Sequence, residues 1–332
     1  MSTLKVFTVA LAYRVGSALL TRTSFVPDEY YQSVEPAYNL VYNASVIDND
    51  TDNTWEWHSN YQMRSYVSIM HYIAWFYMGR SFFHTGYHGY VTKGPRVLQA
   101  VFAAVADTCF YLTCKHIYGA SRGGGGEEGQ KPDYSDPAYT AFLAHLFSWS
   151  CSYCLTRTIG NSNETFFCMI GSYFWIRCAP VESTDDIVHP RVQSILKTTA
   201  FFDSLLFKVI VSLSIYSRPS AALWWAPLVF ADLLLRLRRE GALAAAASGA
   251  AYSCCALAVW SICVAVDSAL YTASNPLREN KDSLCALHSS LCGGRSRGPT
   301  IPPVNFYVFN IQYDFAALHF GAAEPMWMVG AD

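Results

Sequence analysis

The stretch Thr23-Ser24-Phe25-Val26-Pro27-Asp28-Glu29-Tyr30-Tyr31-Gln32-Ser33-Val34-Glu35 follows directly on an apolar run, Leu4 to Leu20. A span needs about 20 mostly apolar residues, and 4–22 supplies them. Three carboxylates, Asp28, Glu29 and Glu35, therefore stand just outside a membrane among aromatic side chains. Ionisable groups at such a boundary are costly and carry a functional reading by default. A capped interfacial helix also fits the start of this stretch. Pro27 suits a first helical turn, acids there complement the helix dipole, and Tyr30, Val34, Ala37, Tyr38 and Val41 recur at helical spacing. That helix leaves Glu35-Pro36 unexplained, and also Thr54-Trp55-Glu56-Trp57 further along the same loop.

Of 332 residues, 52% are apolar, 15% aromatic and only 14% charged. Soluble domains carry about 25% charged residues, so the deficit points to a membrane protein. The mean hydropathy of +0.16 is modest for one and requires sizeable polar loops between spans. The net charge is -2, with no basic block of the kind that binds nucleic acid. A weakly charged, tyrosine-rich chain suits a polar, uncharged substrate such as a sugar. The 11 Cys are scattered, most of them in apolar runs where Cys acts as a small hydrophobe. Cys151-x-x-Cys154 has metal-ligand spacing, but no second pair follows at the spacing of a zinc site, and no metal is expected. Cys285 and Cys292 lie in a polar segment and can bridge if it is luminal. The N-terminal run contains Arg14 and lacks a clear small-residue cleavage site, so it reads as a retained first span.

Further apolar segments at 66–84, 97–117, 138–156, 164–180, 200–217, 219–236 and 243–272, with a partial one at 304–329, predict an all-α polytopic membrane protein with a single transmembrane domain, 1–332. His71, Arg80 and Asp107 fall within these spans and should face the bundle interior. With a cytosolic N-terminus, residues 23–65 form the first luminal loop, with sequons Asn43-Ala44-Ser45 and Asn49-Asp50-Thr51. Counting onward, Arg236-Leu237-Arg238-Arg239 lands in the lumen, whereas the positive-inside rule places it in the cytosol. Either one segment is re-entrant or 200–236 is divided differently. Residues 120–135, with their run of glycines, and 275–303, rich in Ser, Arg, Gly and Pro, read as flexible insertions.

A carboxylate on a membrane face suits glycosyl transfer from a lipid-linked donor. One carboxylate takes the proton of the acceptor hydroxyl. Aromatic rings offer faces to sugar C–H groups and to lipid. An anionic phosphate leaving group is better matched by Arg. Ser24 to Glu35 resembles the Pro-Asp-Glu-x-x-Gln-Ser-x-Glu motif of the dolichol-phosphate-mannose-dependent mannosyltransferases. Thr54-Trp55-Glu56-Trp57 with Met63-Arg64-Ser65-Tyr66 is similar to the branch that adds the third mannose of the GPI anchor precursor. Other matches follow in order: Gly94-Pro95-Arg96-Val97-Leu98-Gln99 with Asp107, Thr156-Arg157-Thr158 with Asn161 and Glu164, Ser217-Arg218-Pro219-Ser220 with Trp225, Asp267-Ser268, and later Asn305-Phe306 and Phe309-Asn310.

The resemblance implies a GT-C architecture in the endoplasmic reticulum membrane, with short interfacial helices in the first loop and a luminal site. It implies inverting transfer from dolichyl phosphate mannose to the 2-hydroxyl of a mannose on a GPI glycolipid, with no metal or other cofactor. Carried onto these residues, Asp28 is the general base, with Glu29 the next candidate. Gln32, Glu35 and Glu56 bind acceptor hydroxyls, and Trp55 and Trp57 pack on sugar or lipid. Arg64, Arg96, Arg157 and Arg218 compete for the donor phosphate, while Asp107 is expected to pair with an Arg. The chain departs from the pattern in two places. The family continues beyond residue 332, so its C-terminal spans are expected to be missing. Its Tyr-Gly-x-His-Pro-Trp-His-Trp run reads here as Phe320-Gly321-Ala322-Ala323-Glu324-Pro325-Met326-Trp327-Met328. A truncated or non-catalytic homologue, and sibling mannosyltransferases of N-glycan or fourth-mannose GPI assembly, are the alternatives. A transporter would show paired broken helices, and none is visible.

Overall fold

The computed structural model describes residues 2–23, 28–43, 53–57, 62–83, 88–120, 136–178, 190–273 and 301–307. Both sequons beyond Asn43, residues 24–27, the glycine run, Cys285, Cys292 and the 320–328 run lie outside the described residues. Among the described residues there is helix and no strand, as an all-α polytopic fold requires. The helices are α1 (Thr3–Leu20), α2 (Glu35–Tyr38), α3 (Met70–Phe83), α4 (His88–Ala120), α5 (Pro137–Phe147), α6 (Trp149–Cys154), α7 (Gly160–Cys178), α8 (Pro190–Ser217), α9 (Ala222–Glu240), α10 (Ala242–Ala273) and α11 (Pro302–Tyr307). π-Helical turns at Tyr30–Val34 and Asn39–Asn43 flank α2. The short helix α11 begins inside the stretch 275–303, and Asn305 in it donates to the Gln62 carbonyl at 3.0 Å.

Among the described residues, five helical segments are long and apolar enough to cross a membrane: Thr3–Leu20, Gly89–Tyr118, Thr199–Ser217, Pro219–Glu240 and Ala242–Tyr271. One expected span is corrected, and two others are not single uninterrupted apolar helices. The 66–84 segment forms a 3-10 turn, Tyr66–Ile69, running into α3, and is not among the helices long and apolar enough to cross. The 138–156 segment breaks at Ser148, whose ψ of 131° leaves the helix between α5 and α6. The 164–180 segment forms α7, which carries Asn161, Asn163, Glu164 and Arg177 and is too polar to count by composition.

The α3 correction matters most. His71 meets Phe102, Tyr72 donates to Gln99 at 2.9 Å, and Trp75 stacks on Tyr90. α3 thus runs antiparallel to the first half of α4 and packs beside it, without a crossing of its own. Its apolar face, with Tyr72, Ile73 and Phe76, packs against a cap formed by Val34, Ala37, Val41, Trp57, Tyr66 and Tyr271. Removing one crossing changes the parity of everything downstream.

Pairings along the remaining helices fix their directions. α1 is antiparallel to α4, from Arg14–Asp107 contacts to Arg96 bonded to the Thr21 carbonyl. Arg177–Asp203 and Arg218–Glu164 set α7 against α8. Tyr216–Asp267 and Trp260–Ser212 align α8 with α10, and Tyr252–Asp232 sets α9 antiparallel to α10. The C-terminal end of α1, Arg96, Arg157, Arg218 and Asp267 therefore gather at one end of the bundle. Arg236, Arg238 and Arg239 lie at the other. The division between α8 and α9 has a local cause. Pro219 disfavours the helical region for the residue before it, and Arg218 sits at φ -148°, ψ 108°. Gly241, at φ 92°, takes the left-handed position that turns α9 into α10.

Buried charged groups inside the bundle find polar partners. Arg14 and Asp107, both 0% exposed, join through Nε–Oδ2 at 2.8 Å and Nη2–Oδ1 at 3.0 Å. His145 adds a contact of 3.0 Å to Asp107, and Arg14 donates to the Cys151 carbonyl at 2.6 Å. Asp267 ties α10 to the start of α3 and to α8. It accepts from Ser65 Oγ and Tyr216 Oη, each at 2.8 Å, and from the Val67 N–H at 3.3 Å.

Close packing also depends on Gly171. A Cβ there would stand 2.3 Å from Trp225 Cη2. Trp225 is fully buried and donates to Ser214 at 3.0 Å, so it has little room to yield. Gly171→Ala is expected to destabilise the bundle by about 1–3 kcal/mol. Thermal unfolding in detergent reads this as a lower midpoint, and an unchanged midpoint would show that the indole relocates freely.

Candidate active site

Asp28 and Glu29 open the helical stretch after α1. Neighbours on a helix point about 100° apart, and burial separates these two completely. Glu29 is 0% exposed, whereas Asp28 is exposed. Glu29 Oε2 accepts from Arg157 Nη1 at 3.1 Å, and its Oε1 lies 3.5 Å from Arg96 Nε. Thr158 Oγ1 donates to the Glu29 carbonyl at 2.8 Å. The same two guanidiniums hold the end of the first span. Arg96 donates to the Thr21 and Thr23 carbonyls at 3.0 and 3.2 Å, and Arg157 also donates to the Thr23 carbonyl. Arg96 further donates to the Tyr30 hydroxyl at 2.8 Å, and Arg157 lies 4.3 Å over the Tyr153 ring.

Arg96 and Arg157, two of the four arginines expected near a donor phosphate, are buried and paired with Glu29, a carboxylate that out of water requires compensating charge. Asp28, in contrast, has no hydrogen bond or ion pair among the described residues.

An open cleft lies beside this pair, enclosing about 470 Å³ including space open to solvent. Gln32, Arg64, Ser68, Asn163, Glu164 and Arg218 supply its polar lining, and Ile69 and Phe167 its apolar part. Arg64 is held by Glu56 in a two-point pair at 2.9 and 3.0 Å. Arg218 Nε lies 3.3 Å from Glu164 Oε2, and its Nη1 donates to Asn161 Oδ1. Burial pulls the Arg218 guanidinium below its ordinary range, Glu164 opposes this, and Arg64, Glu56 and Asp28 are near enough to act on its charge.

The remaining expected residues divide. Gln32 lines the cleft; Glu35 is half-buried and is not among the described lining residues. Trp57 is 1% exposed and packs on Tyr66 with ring centroids 4.9 Å apart. Buried there, the indole packs within the aromatic cluster beside the site. The Trp55 side chain lies outside the described residues. Sequence reasoning passed over Asn163, Glu164 and Phe167 as lining groups. Their signal was present: Gly160, Asn163, Glu164 and Phe167 fall at i, i+3, i+4 and i+7, one face of a helix. No group of three or more His, Cys, Asp or Glu residues that could hold a metal is found among the described residues.

The segments that meet here are those of the ordered motifs, and their sequence profile is specific. The profile of the Alg9-like mannosyltransferases matches residues 5–328. The chain belongs to the Alg9-like mannosyltransferase family. Among curated relatives, the Homo sapiens protein named GPI alpha-1,2-mannosyltransferase 3 is 28% identical over 229 residues, covering 68% of this chain and 33% of that protein. The Xenopus laevis protein of the same name is 26% identical over 223 residues, with 67% and 34% covered. The Yarrowia lipolytica protein named GPI mannosyltransferase 3 is 29% identical over 170 residues, with 51% and 29% covered. The chain thus matches about a third of the length of these relatives. No solved structure matches. Within this Alg9-like framework, Gly94-Pro95-Arg96 and Thr156-Arg157-Thr158 position Glu29, and Ser217-Arg218-Pro219 brings a guanidinium to the cleft.

Proposed function

We propose that the protein is an inverting α-1,2-mannosyltransferase that moves the third mannose from dolichyl phosphate mannose onto the GPI-anchor precursor. One observation carries this reading: of two adjacent carboxylates at the membrane end of the bundle, one is locked by two guanidiniums and the other faces outward beside a polar cleft. The names of the relatives supply the sugar and the pathway. In the proposed step, the acceptor 2-hydroxyl attacks the anomeric carbon on the face opposite the phosphate. Asp28 takes its proton as the new C–O bond forms, and the bonding electrons leave with dolichyl phosphate. Inversion at a β-linked donor gives the α product. Gln32 and Glu56 orient acceptor hydroxyls at the cleft edge.

Orientation follows from charge. Arg236, Arg238 and Arg239 stand at the opposite end from Asp28, and the positive-inside rule puts such a cluster in the cytosol. The Asp28 end then faces the lumen of the endoplasmic reticulum. With α3 counted as a packed helix and not a crossing, the parity conflict in the sequence disappears. The test is rescue of GPI-anchored surface proteins in cells lacking the third mannosyl transfer, with the intermediates analysed. Restored surface display and disappearance of a two-mannose intermediate are expected. If that intermediate persists while the protein is present and folded, the proposal fails.

A further inference from the structure

Four arginines approach the site, and their partners rank them. Arg96 and Arg157 are buried on Glu29, with side chains 9% and 1% exposed. Arg64 is pinned by both oxygens of Glu56. Arg218 is the one of the four that combines a single contact to its carboxylate, 3.3 Å, with a side chain 30% exposed and lining the cleft. It stands at the break between α8 and α9, at the membrane end of two spanning helices, where a lipid-anchored headgroup arrives. Glu164 shares its Oε2 with the Ser220 hydroxyl at 3.3 Å. Gly160 is the residue Arg218 lies across: a Cβ there would stand 2.7 Å from Arg218 Nη1. Ile69 and Phe167 give the same cleft an apolar wall.

We propose that Arg218 is the phosphate-receiving cation of the cleft and that Glu164 is the anion that phosphate displaces from it. The assignment rests on the mannosyltransferase reading only for what the phosphate carries. A guanidinium offers a planar fork that matches phosphate oxygens better than a single carboxylate oxygen at 3.3 Å. The charged groups around the cleft are Arg64, Arg218, Glu56, Glu164 and Asp28. An incoming phosphate adds negative charge to that set, so Glu164 must turn away as Arg218 changes partner. Glu164 therefore weakens phosphate binding, and its removal strengthens it.

The experiment measures binding of a short-chain prenyl phosphate to the full chain in nanodiscs, with inorganic phosphate as the parallel arm. Arg218→Gln is expected to weaken prenyl phosphate binding about 10- to 100-fold, the range for a charge-assisted hydrogen bond. Glu164→Gln is expected to tighten it about two- to fivefold, the range of a partly exposed ion pair. Arg218→Lys keeps the charge without the fork and should fall between parent and Arg218→Gln. If Arg218→Gln folds poorly, Arg218→Lys and Glu164→Gln carry the test. Tight prenyl phosphate with weak inorganic phosphate fits a lipid-linked ligand; equal affinity for both overturns the apolar wall's part. Unchanged affinity in Arg218→Gln, or weaker binding in Glu164→Gln, overturns the proposal. Absence of mannosyl transfer in the parent, with these affinity changes intact, removes the reaction and leaves the phosphate site.

Discussion

Asp28→Asn is expected to lower the proposed mannosyl transfer about 10²- to 10⁴-fold and to leave the protein as stable as its parent. The exposed carboxylate makes no ion pair among the described residues, so replacing it by an isosteric amide removes only the proton acceptor. General base catalysis contributes about 10²- to 10⁴-fold, and the loss should fall in that range. Glu29→Gln behaves in the opposite way. It leaves Arg96 and Arg157 facing a neutral group in a buried site, and removing one member of a buried pair costs about 3–5 kcal/mol. Its defect is a lower unfolding midpoint and poor yield. Transfer rate per folded molecule and thermal unfolding in detergent, measured on both variants, separate the two roles. Full activity in Asp28→Asn, together with a stable but inactive Glu29→Gln, would reverse the assignment of base and anchor.

The largest stability effect is expected within the bundle. Asp107→Asn leaves the Arg14 guanidinium, which is 0% exposed, without its charge partner. A loss of about 3–5 kcal/mol follows, with His145 losing its partner as well. The double variant Arg14→Leu/Asp107→Leu removes both charges and should recover most of that loss, because replacing a buried ion pair with apolar groups is often neutral or better. Unfolding midpoints for the single and double variants form the cycle. A double variant no better than Asp107→Asn would mean that the pair contributes shape and hydrogen bonds more than charge balance.

Much of the fold was readable because bilayer spans are written in composition. The first span, the long fourth helix and the three helices from 199 to 271 follow from apolar length alone. The 66–84 segment misled because burial against a cap of aromatics demands the same residues as burial in lipid, and composition does not distinguish the two. The acidic motif was legible as a site. The difference between Asp28 and Glu29 was not, because it is set by Arg96 and Arg157, 67 and 128 positions further along than Glu29. The packing of Trp57 on Tyr66 was not legible either, because it depends on how the chain folds back between them. Glu164 was quoted within a pattern without a role, and only its approach to Arg218 supplies one.

The clamp on Glu29 also sets an order for biosynthesis. The end of the first span is fastened by groups at positions 96 and 157, so it has no fixed place while those positions are still in the ribosome. A chain emerging from the translocon carries its acidic motif early and acquires a working edge late, after Thr158 has been released. Until then the Glu29 carboxylate lacks the two guanidiniums that hold it in the finished fold.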